Sequence, residues 1–164
     1  NVTQNNETLL QELALEMGAL RVFNAFLKEI DQNNDSDGEE SGNKTNDSFG
    51  IIFTATNNII RNNVDIAQEL AKEEFENFLR LIVKCCRQNL NTELRNDAAN
   101  VLLTIAEMAI DENGALQKKL VENDVDASAA LQILSESFDS SLTNQIKQRA
   151  EACYRALTNR DSKK

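Results

Sequence analysis

The chain has 164 residues, no histidine and a formal net charge of −10 at pH 7. The lack of histidine removes the commonest general base and most zinc sites, which argues against an enzyme and against a resident cofactor or metal. The negative charge argues against nucleic acid or an anionic membrane surface as a partner, and it favours a partner protein with a basic surface.

Helical periodicity runs along most of the chain, and the scarcity of turn-forming residues, with five glycines and no proline, agrees with it. The first predicted segment, Glu7 to Ile30, is divided at Gly18 into two shorter helices. A longer helix is predicted over Phe49 to Arg61, where apolar residues recur at spacings of three and four. These helices are interrupted by the most acidic piece of the chain, residues 31–48.

That acidic piece resembles half of a calcium-binding loop. Counting from Asn33 places oxygen ligands and a glycine where an EF-hand requires them, but Lys44 then occupies the twelfth position, which needs a bidentate glutamate. Counting from Asp31 fails as well, because Gly42 is then twelfth. We therefore predict no metal site.

The same piece holds six acidic residues, one lysine and no apolar residue between positions 31 and 48. Such a composition is typical of flexible chain, and the prediction is an acidic insertion within a helical fold. Ser36 and Ser48 are candidate phosphorylation sites, Ser36 because Asp-Gly-Glu follows it.

The remaining sequence contains two groups of three helices. The first group comprises a short helix near Asp65–Lys72, a longer one over Glu74–Arg87 and a third over Thr92–Ile110. The second group ends its short helix at QKKLVEN, continues with a helix over residues 127–138 and finishes with Leu142 to Thr158. Helix caps are predicted at Thr92 or Asn91 and at Asp126 or Ser128.

Short, medium and long helices thus recur, and an internal repeat explains them. Three apolar residues of the first group match three of the second at a constant offset of 50: Leu70, Phe75 and Leu81 against Leu120, Val125 and Leu131. Each unit has too little apolar surface to fold alone, so neighbouring units are expected to stack. The predicted repeats cover approximately residues 7–62, 63–111 and 112–160 of a single domain, 1–164, which we expect to belong to a longer array.

This order of helices resembles the armadillo repeat family. The stretch LALEMGALRVFNAFLKEI resembles the junction of first and second helices, with Gly18 at the bend, although Glu74 and Asp124 stand at the matching places later on. In AANVLLTIA, four residues follow the pattern of the family's third helix: Ala98, Leu102, Ile105 and Ala106. The resemblance implies an all-α, right-handed α-solenoid of about three three-helix repeats.

Members of this family generally bind partner proteins or peptides in a groove lined by their third helices. Carried over to this chain, the ladder of groove positions is Thr54 and Asn58, Asn100 and Thr104, then Ala152 and Ala156. The chain has no Trp, which argues against a receptor for nuclear localisation signals. The resemblance and the polar pattern of these helices give the following predicted protein-binding residues: Thr54, Asn58, Arg61, Asn100, Thr104, Glu107 and Arg155.

The function implied is a non-catalytic scaffold or co-chaperone module. The stretch RNDAANVLLTIAE and the connector DENGAL are similar to a long helix and connector in the myosin chaperone family with a UCS domain. The alternative is an armadillo-type regulator of a small GTPase or other switch protein. Cys85, Cys86 and Cys153 form no disulfide or zinc pattern. The adjacent Cys85 and Cys86 sit in an apolar run and are expected to be buried, which favours a cytoplasmic location over the secretion that four glycosylation sequons suggest.

Overall fold

A computed structural model describes residues 18–26, 28–29, 40–62, 68–87, 92–112, 114–122, 125–137 and 142–159. Almost all of these residues are helical, and none of them lies in a β-strand. The predicted all-α class is therefore confirmed for this part of the chain.

The longer helices follow one another with short connections. They are α1 (Glu40–Asn62), α2 (Glu76–Arg87), α3 (Thr92–Glu112), α4 (Gly114–Val121), α5 (Ala127–Glu136) and α6 (Asn144–Asn159). One turn of 3-10 helix, Glu73–Phe75, leads into α2, and residues 18–26 and 68–70 are helical too. The predicted bounds of α2, α3, α5 and α6 hold to within about two residues at each end, as expected of fraying termini.

The start of α1 corrects the sequence prediction. This helix begins at Glu40, not at Phe49, so residues 40–48 of the acidic piece are helical. The lack of apolar residues made this part look like flexible chain, whereas α1 continues through it without a break. Residues 31–39, which hold the start of the calcium-like pattern and Ser36, lie outside the described residues.

The three long helices lie side by side in one layer. Helix α3 is in the middle and contacts α1 on one side and α6 on the other. Helices α2 and α5 form a second layer, in which they contact each other, while α2 packs on α3 and α5 packs on α6. The residues of α3 that carry the family pattern are in the core, since Ala98, Ile105 and Ala106 are fully buried and Leu102 is 1% exposed.

The apolar periodicity fails at two positions. Phe26 and Ile51 belong to predicted apolar faces, yet they are 46% and 71% exposed. Each stands in a helix that also holds a fully buried apolar residue, Leu20 in the first case and Phe53 in the second. Spacing alone cannot tell the centre of an apolar stripe from its edge, because a stripe a third of a turn wide includes boundary positions.

The two groups of three helices that follow α1 in the sequence share a backbone turn as well as the apolar triplets. The N–H of Phe75 donates to the carbonyl of Lys72 at 3.1 Å, and the N–H of Val125 donates to that of Glu122 at 3.1 Å. These two turns are separated by the same offset of 50 residues that relates the apolar triplets. All six residues of those triplets are buried.

Asp126 enters α5 in an unusual conformation. Its φ of 52° and ψ of 45° lie in the left-handed region, and its side chain makes no capping hydrogen bond. The predicted cap position therefore marks the correct boundary, but the predicted role of the Asp126 carboxylate is wrong. Thr92 is the first residue of α3, and Asn91 lies outside the described residues.

Candidate functional site

A cavity of about 510 Å³ opens where the three long helices meet. Helix α1 contributes Asn57 and Arg61, and α6 contributes Gln145 and Arg149. Helix α3 lies between them and contributes three residues: Asn100, Thr104 and Glu107. All seven side chains are polar or charged, so the cavity suits a polar or charged group better than an apolar one.

The lining follows one helical spacing. Each helix presents a carboxamide and, four residues later, a second polar side chain: Asn57 and Arg61, Asn100 and Thr104, Gln145 and Arg149. Residues four apart share a face of an α-helix, so each pair points to the same side of its helix. The cavity lining therefore holds one carboxamide from each of the three long helices.

Thr104 holds α1 and α3 in register at the floor of this cavity. Its Oγ1 donates toward Asn57 Oδ1 at 2.7 Å and lies 2.9 Å from the carbonyl of Asn100, one turn earlier. The residue is 8% exposed. Because Thr104 engages only the oxygen of the Asn57 carboxamide, the NH₂ group of Asn57 stays available to a ligand.

Glu107 and Arg149 join α3 to α6 through a two-pronged ion pair. Arg149 Nε donates to Glu107 Oε1 at 2.7 Å and Nη2 donates to Oε2 at 3.0 Å. The hydrogen bonds to Glu107 raise the pKa of Arg149. This fork geometry is the strong form of an ion pair, so both side chains are committed to each other.

Arg61 is in a different situation. Its side chain is exposed at the edge of the cavity, and within the described part of the chain it makes no hydrogen bond or ion pair. The carboxamides of Asn100 and Gln145 likewise have no hydrogen-bond partner among those residues. Together with the NH₂ group of Asn57, these three side chains are the groups of the cavity that are free to meet a ligand.

The structure brings together four of the seven predicted binding residues: Arg61, Asn100, Thr104 and Glu107. The other three lie elsewhere. Thr54 and Asn58 are exposed on α1 but do not line the cavity, and Arg155 pairs with Glu151 on the surface of α6. The predicted assignment of these three residues to one site with the other four is therefore not supported by the geometry.

Asn57, Gln145 and Arg149 were missed because the ladder was counted along the sequence. The ladder carried over from the family has Ala152 and Ala156 on α6, whereas the α6 residues that line the cavity are Gln145 and Arg149, about two helical turns closer to the start of that helix. The axial shift between neighbouring helices is set by how their side chains interlock. Residue spacing within one chain does not give that shift. The repeated pairing of a carboxamide with a polar residue four positions later was the available signal.

Glu107 supplies the one carboxylate among the seven side chains that line the cavity. This carboxylate is held by Arg149, and the three cysteines are buried in the core. Within the part of the chain that the structure describes, no three Cys, Asp or Glu side chains gather in a way that could hold a metal ion. The candidate phosphorylation site Ser48 is half-buried in α1.

No protein-family model, curated protein or solved structure matches this chain. None of the described helices combines the length and the apolar character needed to cross a membrane.

Proposed function

We propose that the chain is a non-catalytic module that binds an extended segment of a partner protein across its three long helices. The observation that carries this proposal is the cavity at the junction of α1, α3 and α6, with one carboxamide from each helix. A carboxamide has the donor and acceptor of a peptide group, so it can pair with a main chain regardless of the partner's side chains.

The size and polarity of the cavity agree with this role. Its volume of about 510 Å³ falls within the range of ligand sites, but small-molecule pockets are mostly apolar. A lining without apolar side chains offers little hydrophobic driving force to a small molecule. A peptide that runs across three helices gathers several weaker polar contacts instead.

We further propose that the described helices form part of an armadillo-like solenoid. Three observations support this: the long helices pack side by side, the medium helices pack on each other, and the turn at Phe75 recurs at Val125. In this proposal the cavity lies in the groove of the third helices, as in a scaffold or co-chaperone module. A regulator of a GTPase would in addition change the rate of nucleotide release from its partner.

Selection from a library of random peptides displayed on phage tests the binding function. Peptides selected on the wild-type chain are expected to lose binding to the double variant Asn57→Ala/Asn100→Ala, which removes two carboxamides. They are expected to keep binding to Arg155→Glu, because Arg155 lies outside the cavity. Selected peptides that bind the double variant as well as the wild type would overturn the proposal, as would a selection that enriches no peptide.

The Asn57→Ala/Asn100→Ala variant needs a control for folding. Asn57 accepts the hydrogen bond of Thr104, so its removal costs some stability. Circular dichroism at the temperature of the binding measurement shows whether the variant keeps its helices. The variant Gln145→Ala changes an exposed residue and removes the third carboxamide with little risk to folding.

A further inference from the structure

We propose that the cavity selects an acidic residue, aspartate or glutamate, in the bound segment, and that Arg61 receives its carboxylate. This inference rests on the proposed function and names the side chain that the groove prefers. It differs from the expectation that the net charge of the chain creates, which is a partner with a basic surface.

The cavity lining holds one more positive than negative side chain. Two guanidinium groups and one carboxylate line it, and the carboxylate of Glu107 is paired with Arg149 through both of its oxygens. Among the described residues, Arg61 is therefore the one charged side chain of the lining without a partner, and its charge is positive. A cationic side chain from a partner would meet Arg61 and would find Glu107 already occupied.

The remaining groups fit a carboxylate better than a phosphate. A guanidinium offers two parallel N–H donors that match the two oxygens of one carboxylate. A phosphate dianion calls for further positive charge, which here would require breaking the Glu107–Arg149 pair. The uncommitted carboxamides of Asn100 and Gln145 can hold the main chain on either side of the acidic residue.

The preference for a side chain in the cavity depends on the charges that contact it more than on the net charge of the chain. At physiological ionic strength, exposed charges further apart than about 8 Å are largely screened from each other. The net charge of −10 therefore influences how partners approach, while contact groups such as Arg61 decide which side chain is preferred. Six of the acidic residues stand in the stretch 31–48.

Three pools of fluorescently labelled peptides test this inference. Their flanking positions are random and their central residue is aspartate, asparagine or lysine, so that the first two pools differ in charge and hardly in shape. Fluorescence anisotropy at low salt is expected to show about fivefold tighter binding of the aspartate pool than of the asparagine pool, with lysine weakest. Added salt is expected to reduce this preference.

The variant Arg61→Gln is expected to bind the aspartate and asparagine pools equally and to keep the weaker binding that both share. Arg155→Gln is the matched control, because it also removes an exposed arginine from a long helix but lies outside the cavity. It is expected to leave the preference unchanged. Arg61 has no partner among the described residues, so its replacement should not disturb the fold.

The outcomes separate this inference from the function on which it rests. If the three pools bind the wild type equally and all of them weaken in Asn57→Ala/Asn100→Ala, the preference is overturned and the groove function stands. Tightest binding of the lysine pool, or a preference that survives Arg61→Gln, also overturns it. If no pool binds at about 1 mM, both proposals fail.

Discussion

Lys119 Nζ of α4 donates to Glu76 Oε2, in the first turn of α2, at 2.6 Å. This contact links two consecutive helical groups. Both side chains are well shielded, at 16% and 19% exposure. The hydrogen bond from Lys119 lowers the pKa of Glu76, and the same bond raises the pKa of Lys119. Arg80 and Glu122 extend the pair into a small network.

This network predicts a defined pH range for part of the stability. Because folding lowers the pKa of Glu76, its contribution is complete above the unfolded value near 4.5 and is lost as the pH falls through the folded value. Because folding raises the pKa of Lys119, its contribution is complete below 10.5 and is lost at higher pH. Thermal melting of wild type and Glu76→Gln should therefore differ most between these limits.

The matched control for this experiment is Glu151→Gln. Glu151 also pairs with an arginine, but the Glu151 and Arg155 side chains are 52% and 71% exposed. Exposed pairs of this kind contribute little, so its melting curve should follow the wild type across the same pH range. A Glu76→Gln protein that loses stability equally at every pH would show that packing, not charge, is the cause.

A single substitution at Thr56 is predicted to raise the free energy of unfolding. Its side chain is fully buried in α1, and its Oγ1 has no hydrogen-bond partner among the residues that the structure describes. Replacing an unpaired buried hydroxyl by a methyl group of the same shape removes a desolvation cost, so Thr56→Val should stabilise by about 1 kcal/mol. The midpoint of urea unfolding measures this change.

Thr104→Val provides the opposite case in the same experiment. Thr104 is also buried, but its hydroxyl donates to Asn57 Oδ1 and lies 2.9 Å from the carbonyl oxygen of Asn100. The same substitution should therefore destabilise by about 1 kcal/mol. If both variants shift the midpoint in the same direction, hydrogen bonding does not explain the difference between the two threonines.

The ion pair between Glu107 and Arg149 is expected to couple α3 to α6. A double-mutant cycle with Glu107→Gln and Arg149→Gln should give an interaction free energy of about 0.5–1 kcal/mol, which falls with added salt. The side chains are 42% and 31% exposed, which keeps the value below that of a buried pair. A cycle on Glu151 and Arg155, which lie four residues apart on one helix, should give less. Equal values would mean that the fork geometry adds nothing.

Gly50 weakens α1 and its replacement is expected to help. A Cβ added at Gly50 would lie 3.2 Å from Asp97 Oδ2, which is the mobile end of a side chain. We expect this carboxylate to shift by a few tenths of an ångström to make room for the new methyl group. Gly50→Ala should therefore gain about 0.5–1 kcal/mol of helix propensity, measured as a rise in the melting temperature.

Gly114→Ala is a suitable comparison for Gly50→Ala. Gly114 is the first residue of α4, and a Cβ there would meet nothing within 4 Å. Propensity matters less at a helix end than in its interior, so the gain should be smaller. A loss of stability in Gly50→Ala would show that Asp97 cannot move.

The sequence predicted the helices well where apolar spacing was dense. The spacing in α3 and the triplets around Phe75 and Val125 marked core residues correctly, because burial imposes that period on any packed helix. It failed at the start of α1, where no apolar residue falls before Phe49. A helix can extend from its packed part into polar sequence without leaving an apolar pattern.

The site was predicted only in part, for a different reason. Residues within one helix were related correctly, since Asn100 and Thr104 are four apart and face the same way. Which residues of two helices face each other depends on the axial shift between the helices. That shift places Arg149 of α6 beside Glu107 of α3. A single sequence carries no direct record of that distance.

The chain's three cysteines, Cys85, Cys86 and Cys153, are all buried, the first two in α2 and the third in α6. Burial raises the pKa of the Cys86 thiol far above its ordinary value and that of Cys153 to about 12. An alkylating reagent needs an exposed thiolate, so it reacts only when the surrounding helix opens. The rate at which these native thiols are alkylated thus measures the local opening of α2 and of α6 separately, without any engineered label.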